Sequence, residues 1–276
     1  RGPALPSARL EPAVAARAGR LVVVGGFGPG LNVERTVDEL DPVTATWHAG
    51  PLAPVAWTHA QLVAIDARLF LVGGLAGRAF EARGEVFVDD GAGWQPRASL
   101  PADAARGGAA VVASATTIYL VGGASTTAAL ASAWAYDVAA DRWDRLPDLP
   151  APRSHPVAGL APDGTIIVAG GLRTLDASAP LAEVLALAPG AATWPPRAPM
   201  PTARGGCAAG VVDGELWCAG GEAGTRALAT VEAYRFATDA WRTLPPLPEA
   251  RAGTQGAVVD GAQPGAESTV AVTGGC

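Results

Sequence analysis

Apolar positions along this chain recur at long range. A short apolar run ending in Gly-Gly occurs six times: Leu21–Gly26, Leu69–Gly74, Ile118–Gly123, Ile166–Gly171, Leu216–Gly221 and Val270–Gly275. The first glycines of these pairs are 48, 49, 48, 50 and 54 residues apart. A run of about four apolar residues bounded by turn formers reads as a buried strand. A second marker keeps step: Trp47, Trp94, Trp143, Trp194 and Trp241 follow the first five pairs by 21 to 24 residues. A Pro-rich segment comes next and usually ends in Arg, at Arg106, Arg153, Arg204 and Arg251, with Trp57 in the same slot after Trp47. The stretch after the Arg, such as Gly205–Val212, predicts a first strand. Asp213-Gly214, Asp163-Gly164 and Asp260-Gly261 predict two-residue hairpin turns into the apolar run, because both central residues accept positive φ. A third strand such as Ala133–Asp137 and the Trp strand complete a unit of four short antiparallel strands.

One such sheet leaves two faces and its edges exposed, so a single unit has no reason to be stable. Copies arranged around an axis bury both faces, with the Trp as a large apolar body between neighbours. The expectation is an all-β single domain over 1–276, with units near 7–56, 57–103, 104–150, 151–201 and 202–248 and a partial unit 249–276. Leu5-Pro6-Ser7-Ala8-Arg9 matches Leu247-Pro248-Glu249-Ala250-Arg251, so the chain starts inside the tail of a Trp strand. The reading is a β-propeller of six four-stranded blades whose last blade is incomplete, or a segment of a longer protein. Residues 1–6 are expected to offer at most a short outer strand to that blade.

The diglycine after an apolar strand, the Tyr136-Asp137 pair and the Trp about 21 residues after the glycines resemble kelch repeats over nearly the whole chain. Leu187 stands where the repeat has Tyr, and the last unit lacks its Trp. The resemblance implies that the loops after each Gly-Gly share one face with the segments preceding the first strands. It implies a binding or scaffold module for a protein, peptide or glycan. The alternative is a propeller enzyme acting on a sugar, sialic acid epimerase-like, or less plausibly galactose oxidase-like with a copper site of Tyr and His. The three Tyr and three His show no shared copper set, whereas Glu222 and His155 offer an acid/base pair.

Candidate binding residues are Asn32, Arg78, Ser125, Arg173 and Arg226 on the loops, with His59, Arg153 and His155 at the starts of first strands. The competing reading of the repeated Arg, which we favour, is structural: it caps the preceding loop and closes the junction between blades. No metal-ligand spacing appears, so neither a metal nor a cofactor is expected. A net charge of −6 without a single Lys argues against nucleic acid. No apolar run reaches membrane-spanning length. An extracellular or periplasmic location is slightly favoured if the chain is a processed fragment, with the cytoplasm as the other option. Cys207 would lie diagonal to Cys218 on the same face of the predicted hairpin, where a disulfide can form but is not favoured by geometry. Asp38, Glu39, Asp41 and His48 read as solvated residues, and Gly26–Gly30 lacks the Lys and helix of a phosphate loop.

Overall fold

The computed structural model describes residues 2–259 and 268–275. Five four-stranded antiparallel blades stand around a central channel. Blade 1 comprises Ala13–Arg17, Arg20–Val24, Val37–Asp41 and Thr46–Ala49. Blade 2 comprises Trp57–Thr58 with Gln61–Ile65, then Arg68–Ala76, Glu81–Asp89 and Trp94–Arg97. Blade 3 comprises Ala110–Ala113, Thr117–Val121, Ala133–Asp137 and Arg142–Leu146. Blade 4 comprises Val157–Leu160, Ile166–Ala169, Val184–Leu187 and Pro196–Arg197. Blade 5 comprises Ala208–Val212, Glu215–Ala219, Val231–Arg235 and Ala240–Leu244.

The count of complete blades is therefore five, not six. Among the described residues the sixth place in the ring holds the hairpin Thr254–Val259 and Thr269–Gly274, packed between blades 5 and 1. Residues 2–9 form no outer strand. They lie across the outside of blade 1, where the Trp47 indole N–H donates to the Pro3 carbonyl.

Burial explains why the second strands read as continuous apolar runs while the outer strands read as polar. Leu21–Val24, Leu69–Val72 and Ile166–Ala169 are buried at every position because a neighbouring blade covers each face. Blades meet through shared cores, for example Phe70, Ile118, Leu120 and Tyr136 between blades 2 and 3. Each such side chain contributes about 1.5–3 kcal/mol when fully removed from water. The repeat Trp adds direction to this packing. The indole N–H groups of Trp143, Trp194 and Trp241 donate to Ala98, Pro147 and Ala198 carbonyls of the preceding blade.

The diglycine has a specific job. In every unit the N–H of its second Gly donates to a backbone carbonyl at the start of the next blade, as in Gly74 to Arg106 at 2.8 Å and Gly171 to Arg204 at 2.9 Å. Gly275 donates to Arg9 at 3.0 Å and so joins the last hairpin to blade 1. The first Gly of each pair stands against the same carbonyl, and a Cβ on Gly73 or Gly170 would sit 2.5 Å from Arg106 O or Arg204 O.

Two hairpin readings need adjustment. Asp213-Gly214 forms the expected two-residue turn, with φ of 49° and 75°. Asp163-Gly164 instead lies within a longer turn, 161–165, closed by the Ala161 N–H on Thr165 O. Asp260-Gly261 falls outside the described residues. Cys207 and Cys218 do form a disulfide, against expectation, with Cα atoms 5.6 Å apart. Cys218 pairs with Ala209 as anticipated, but the twist of the short hairpin brings the diagonal positions within bridging distance.

Acidic groups are more deeply placed than their sequence context suggests. Asp38 is buried and paired with Arg9 at 3.3 Å, not solvated, because the outer strands fold it beneath the Arg9 guanidinium. Glu215 is buried between the guanidinium groups of Arg235 and Arg242, 2.8 and 2.6 Å away. The Arg242 and Arg235 hydrogen bonds hold its carboxyl below the usual range. A depressed carboxyl stabilises the fold above its unfolded pKa of about 4.3, and that contribution vanishes as pH falls through the folded value. We therefore expect Glu215→Gln to lower Tm at pH 7, with the gap to the parent closing below about pH 4. Paired melting curves from pH 3 to 8 check it, and a gap that does not narrow as pH falls below about 4 contradicts the linkage.

Candidate functional site at the channel mouth

The channel encloses about 590 Å³. Short side chains line it, among them Val14, Ala64, Val111, Ala158, Val211 and Val258. Its mouth is built from one position repeated six times, two residues after the Arg slot: Glu11, His59, Gly108, His155, Gly206 and Gly253. All six adopt left-handed backbone, with φ of 53°, 55°, 56°, 52°, 64° and 63°. Their backbones form a chain of hydrogen bonds around the mouth. Glu11 N donates to Gly253 O at 3.0 Å, His59 N to Glu11 O at 3.2 Å and Gly108 N to His59 O at 2.7 Å. His155 N donates to Gly108 O at 2.7 Å and Gly206 N to His155 O at 3.0 Å. This belt requires positive φ, which costs a side-chain-bearing residue about 1–2 kcal/mol and Gly nothing.

Three blades nevertheless place a titratable side chain there, and the three converge. Ligand-capable atoms of Glu11, His59 and His155 lie within 4.8 Å of one another. His59 Nε2 stands 3.8 Å from Glu11 Oε1. The two imidazole rings meet edge to face at 5.2 Å between centroids. Phe27 and Phe80 flank His59, with centroids at 6.4 and 5.9 Å. Glycine on the neighbouring blades makes the convergence fit: a Cβ on Gly108 would sit 3.1 Å from His155 Nε2, and one on Gly253 would sit 2.9 Å from Glu11 Oε1. Burial pulls His59 down to about 4 and also lowers His155, so both rings are neutral at pH 7. Burial raises Glu11, and it raises Glu222 with help from the Glu11 charge.

The family model for the kelch motif matches residues 8–51, 105–150 and 203–248. The Kelch-like protein terF of Aspergillus terreus is 31% identical over 252 residues, which is 84% of this chain and 54% of that protein. The chain is a kelch-repeat β-propeller. Kelch-like protein 35 of Mus musculus is 32% identical over 134 residues, 49% of this chain and 22% of that protein. The chain thus spans about half the length of the first relative and less of the second. In fold it is similar to the structure of YjhT, with a TM-score of 0.75 over 86% of this chain and 84% of that one at 17% identity. A kelch propeller of this form is consistent with a protein-interaction scaffold.

On the kelch face that carries the mouth, the loops after each diglycine surround the Glu11–His59–His155 group. Residues preceding the first strands bridge directly to them, as Leu10 to Phe27 and Ser154 to Leu172. In blade 2 the loop is mostly strand, for Arg68–Ala76 and Glu81–Asp89 run past the diglycine and leave only a tip. Arg78 and Phe80 stand exposed on that tip. Asn32, Arg173 and Arg226 are also exposed, and Ser125 is half-buried with its hydroxyl on Ala128 O. These five candidates surround the mouth without meeting one another. His59 and His155 are brought together.

Arg153 lies on the far side of the belt from solvent. It is fully buried, donating to Gly170 and Glu183 carbonyls and pairing with the Glu183 carboxylate. Arg106 serves its blade in the same way through Ala104, Gly122 and Ser132 carbonyls. Glu11 is the member of this converging group that sequence reasoning passed over. The signal was available: one register position filled by Gly in three units and by Glu or His in the others.

Proposed function

We propose that this propeller is a binding module whose mouth face docks a protein or peptide segment bearing acidic and apolar side chains. The observation that carries this is the distribution of exposed apolar groups. Of the five large apolar side chains exposed among the described residues, Leu31, Phe80 and Leu175 stand on the diglycine loops of this one face. Exposed Arg78, Arg173 and Arg226 are interspersed with them, and no ion pair neutralises these three among the described residues. Aromatic and Arg side chains on a rigid rim are the groups that dominate protein interfaces. Variable loops on a fixed scaffold supply the specificity.

The test compares the parent chain with Phe80→Asp/Leu175→Asp and with Val43→Asp as baits in quantitative affinity capture. Val43 lies in the turn after the third strand of blade 1, at the opposite end of the sheet. The expected result is a set of proteins depleted at least about tenfold by the double variant and retained by Val43→Asp, since two rim anchors together contribute well over 1.4 kcal/mol. Equal capture by all three baits overturns the proposal.

A further inference from the structure

We infer that Glu11, His59 and His155 form a binding site for a single divalent transition-metal ion of the Zn²⁺ class at the channel mouth. The inference goes beyond the docking of a partner and does not depend on it.

Three independent features of the site point to a cation. The first is backbone strain: left-handed φ also occurs at other non-Gly residues, such as Ala18, Asp66 and Asp213 in hairpin turns, but at the mouth three such residues converge. All six belt positions have left-handed φ, and three units meet that requirement with Gly at no cost. Glu and His at the other three positions hold the same conformation at a penalty, and they are the three whose side chains meet. Strain retained where a Gly alternative is present in the same ring is expected of a functional site.

The second feature is the disposition of lone pairs. The Thr58 hydroxyl lies 2.9 Å from His59 Nδ1 and can accept its proton. In that tautomer Nε2, which faces the Glu11 carboxylate, carries a bare lone pair. At 3.8 Å the two are too far apart for a hydrogen bond. Two ligands bound at about 2.0–2.2 Å to one tetrahedral ion lie about 3.3–3.6 Å apart, so the side chains need only draw together slightly to share an ion. A ligating His ordinarily donates its other ring N–H to an acceptor that fixes the tautomer, and the Thr58 oxygen is placed to be that acceptor.

The third is an orphan. His155 Nδ1 is buried with no hydrogen-bond partner, although the ring lies against Gly108 and faces the other two groups. A buried imidazole nitrogen left unpaired is costly unless something binds there.

Two imidazoles and one carboxylate form an N2O set. It suits Zn²⁺ or a neighbouring first-row ion and ill suits Mg²⁺ or Ca²⁺, which take oxygen ligands. Glu11 and His155 also line the channel, so a fourth coordination position faces the cavity. Three protein ligands with one open position is the arrangement of a site that exchanges water for an incoming ligand.

His48 provides an internal control, being the remaining His, exposed on the outer strand of blade 1. The chain is stripped with chelator and titrated with Zn²⁺ by calorimetry, and Co²⁺ is substituted to read coordination from its visible absorption. The expected result is one equivalent of Zn²⁺ bound. Affinity falls at least about 100-fold in His59→Ala and His155→Ala and is unchanged in His48→Ala. Thr58→Val is expected to weaken binding about 10-fold through the tautomer alone. Should the His variants fail to fold, Glu11→Gln removes the anionic ligand with the same shape and reads the same loss. Glu11→Gly supplies a second readout: the metal-free chain melts higher than the parent, because the strain is relieved, and no longer gains Tm on Zn²⁺ addition. Absence of Zn²⁺ binding to the parent chain overturns the inference, as does binding that survives in Glu11→Gln, His59→Ala and His155→Ala alike.

Discussion

Replacing Arg204 with Ala is expected to destabilise the propeller by about 3–5 kcal/mol, the typical cost of removing one partner of a buried ion pair. Arg204 is fully buried in blade 5, and its partner Glu232 is almost equally so. The guanidinium also donates to Thr202 O and Cys218 O, each at 3.0 Å, and Thr202 Oγ1 supplies the other Glu232 oxygen at 2.8 Å. Truncation leaves a carboxylate in the interior with one hydroxyl for company, and the Thr202 and Cys218 carbonyls lose the guanidinium donor. The same slot in the sixth unit behaves differently. Arg251 has a side chain 40% exposed and pairs with Glu249 at 3.1 Å on the surface, so Arg251→Ala is expected to cost under about 1 kcal/mol. Arg153→Ala should fall between, because its guanidinium is buried while its partner Glu183 is 40% exposed. Urea unfolding of the three variants gives the order directly. Equal losses would mean that the repeated Arg acts through local loop capping, with the buried charge irrelevant. A double replacement, Arg204→Leu/Glu232→Leu, should recover part of the loss, limited by the two abandoned carbonyls.

That ordering shows which parts of the fold were legible in the sequence. The spacing of the diglycines and of the Trp residues reports the repeat, because each blade solves the same packing problem with the same residues. The repeated Arg was favoured as structural, and Arg106, Arg153 and Arg204 are buried against backbone carbonyls. What spacing cannot report is the degree of burial of each copy, which depends on what lies beyond the carboxylate partner. It also cannot report convergence across the ring. Glu11, His59 and His155 lie 48 and 96 residues apart in sequence, on blades 1, 2 and 4, and only the curvature of the belt brings them together. His59 and His155 were noticed because His is rare here. Glu11 looked like any acidic residue beside an Arg. The disulfide was misjudged for a related reason, since an idealised flat hairpin keeps diagonal positions apart and the actual twisted one does not. The incomplete sixth place was read from the missing Trp and third strand. The structure goes further, with residues 2–9 adding no strand to it.

The diglycine makes the second large prediction. Gly73→Ala is expected to cost about 3 kcal/mol or more, through left-handed backbone strain of about 1–2 kcal/mol and a steric conflict worth about as much again. At φ of 54°, a Cβ on Gly73 would stand 2.5 Å from Arg106 O and 3.1 Å from Arg83 O, and neither is the tip of a flexible side chain. The same Arg106 carbonyl accepts the Gly74 N–H at 2.8 Å, and the Arg106 N–H donates to Arg83 O at 3.0 Å. Relieving the clash therefore requires blades 2 and 3 to separate at the point where their backbones are tied. Gly77 is the natural comparison, four residues further along the same strand end. It has nearly the same φ, 63°, but a Cβ there meets nothing within 4 Å. Gly77→Ala should show the conformational cost alone, about 1 kcal/mol. If chemical denaturation finds both variants near that value, the diglycine serves only to turn the chain. If Gly73→Ala loses at least twice as much, the motif is a contact between blades, and its six-fold repetition follows from the geometry of a ring in which every unit must approach the next equally closely.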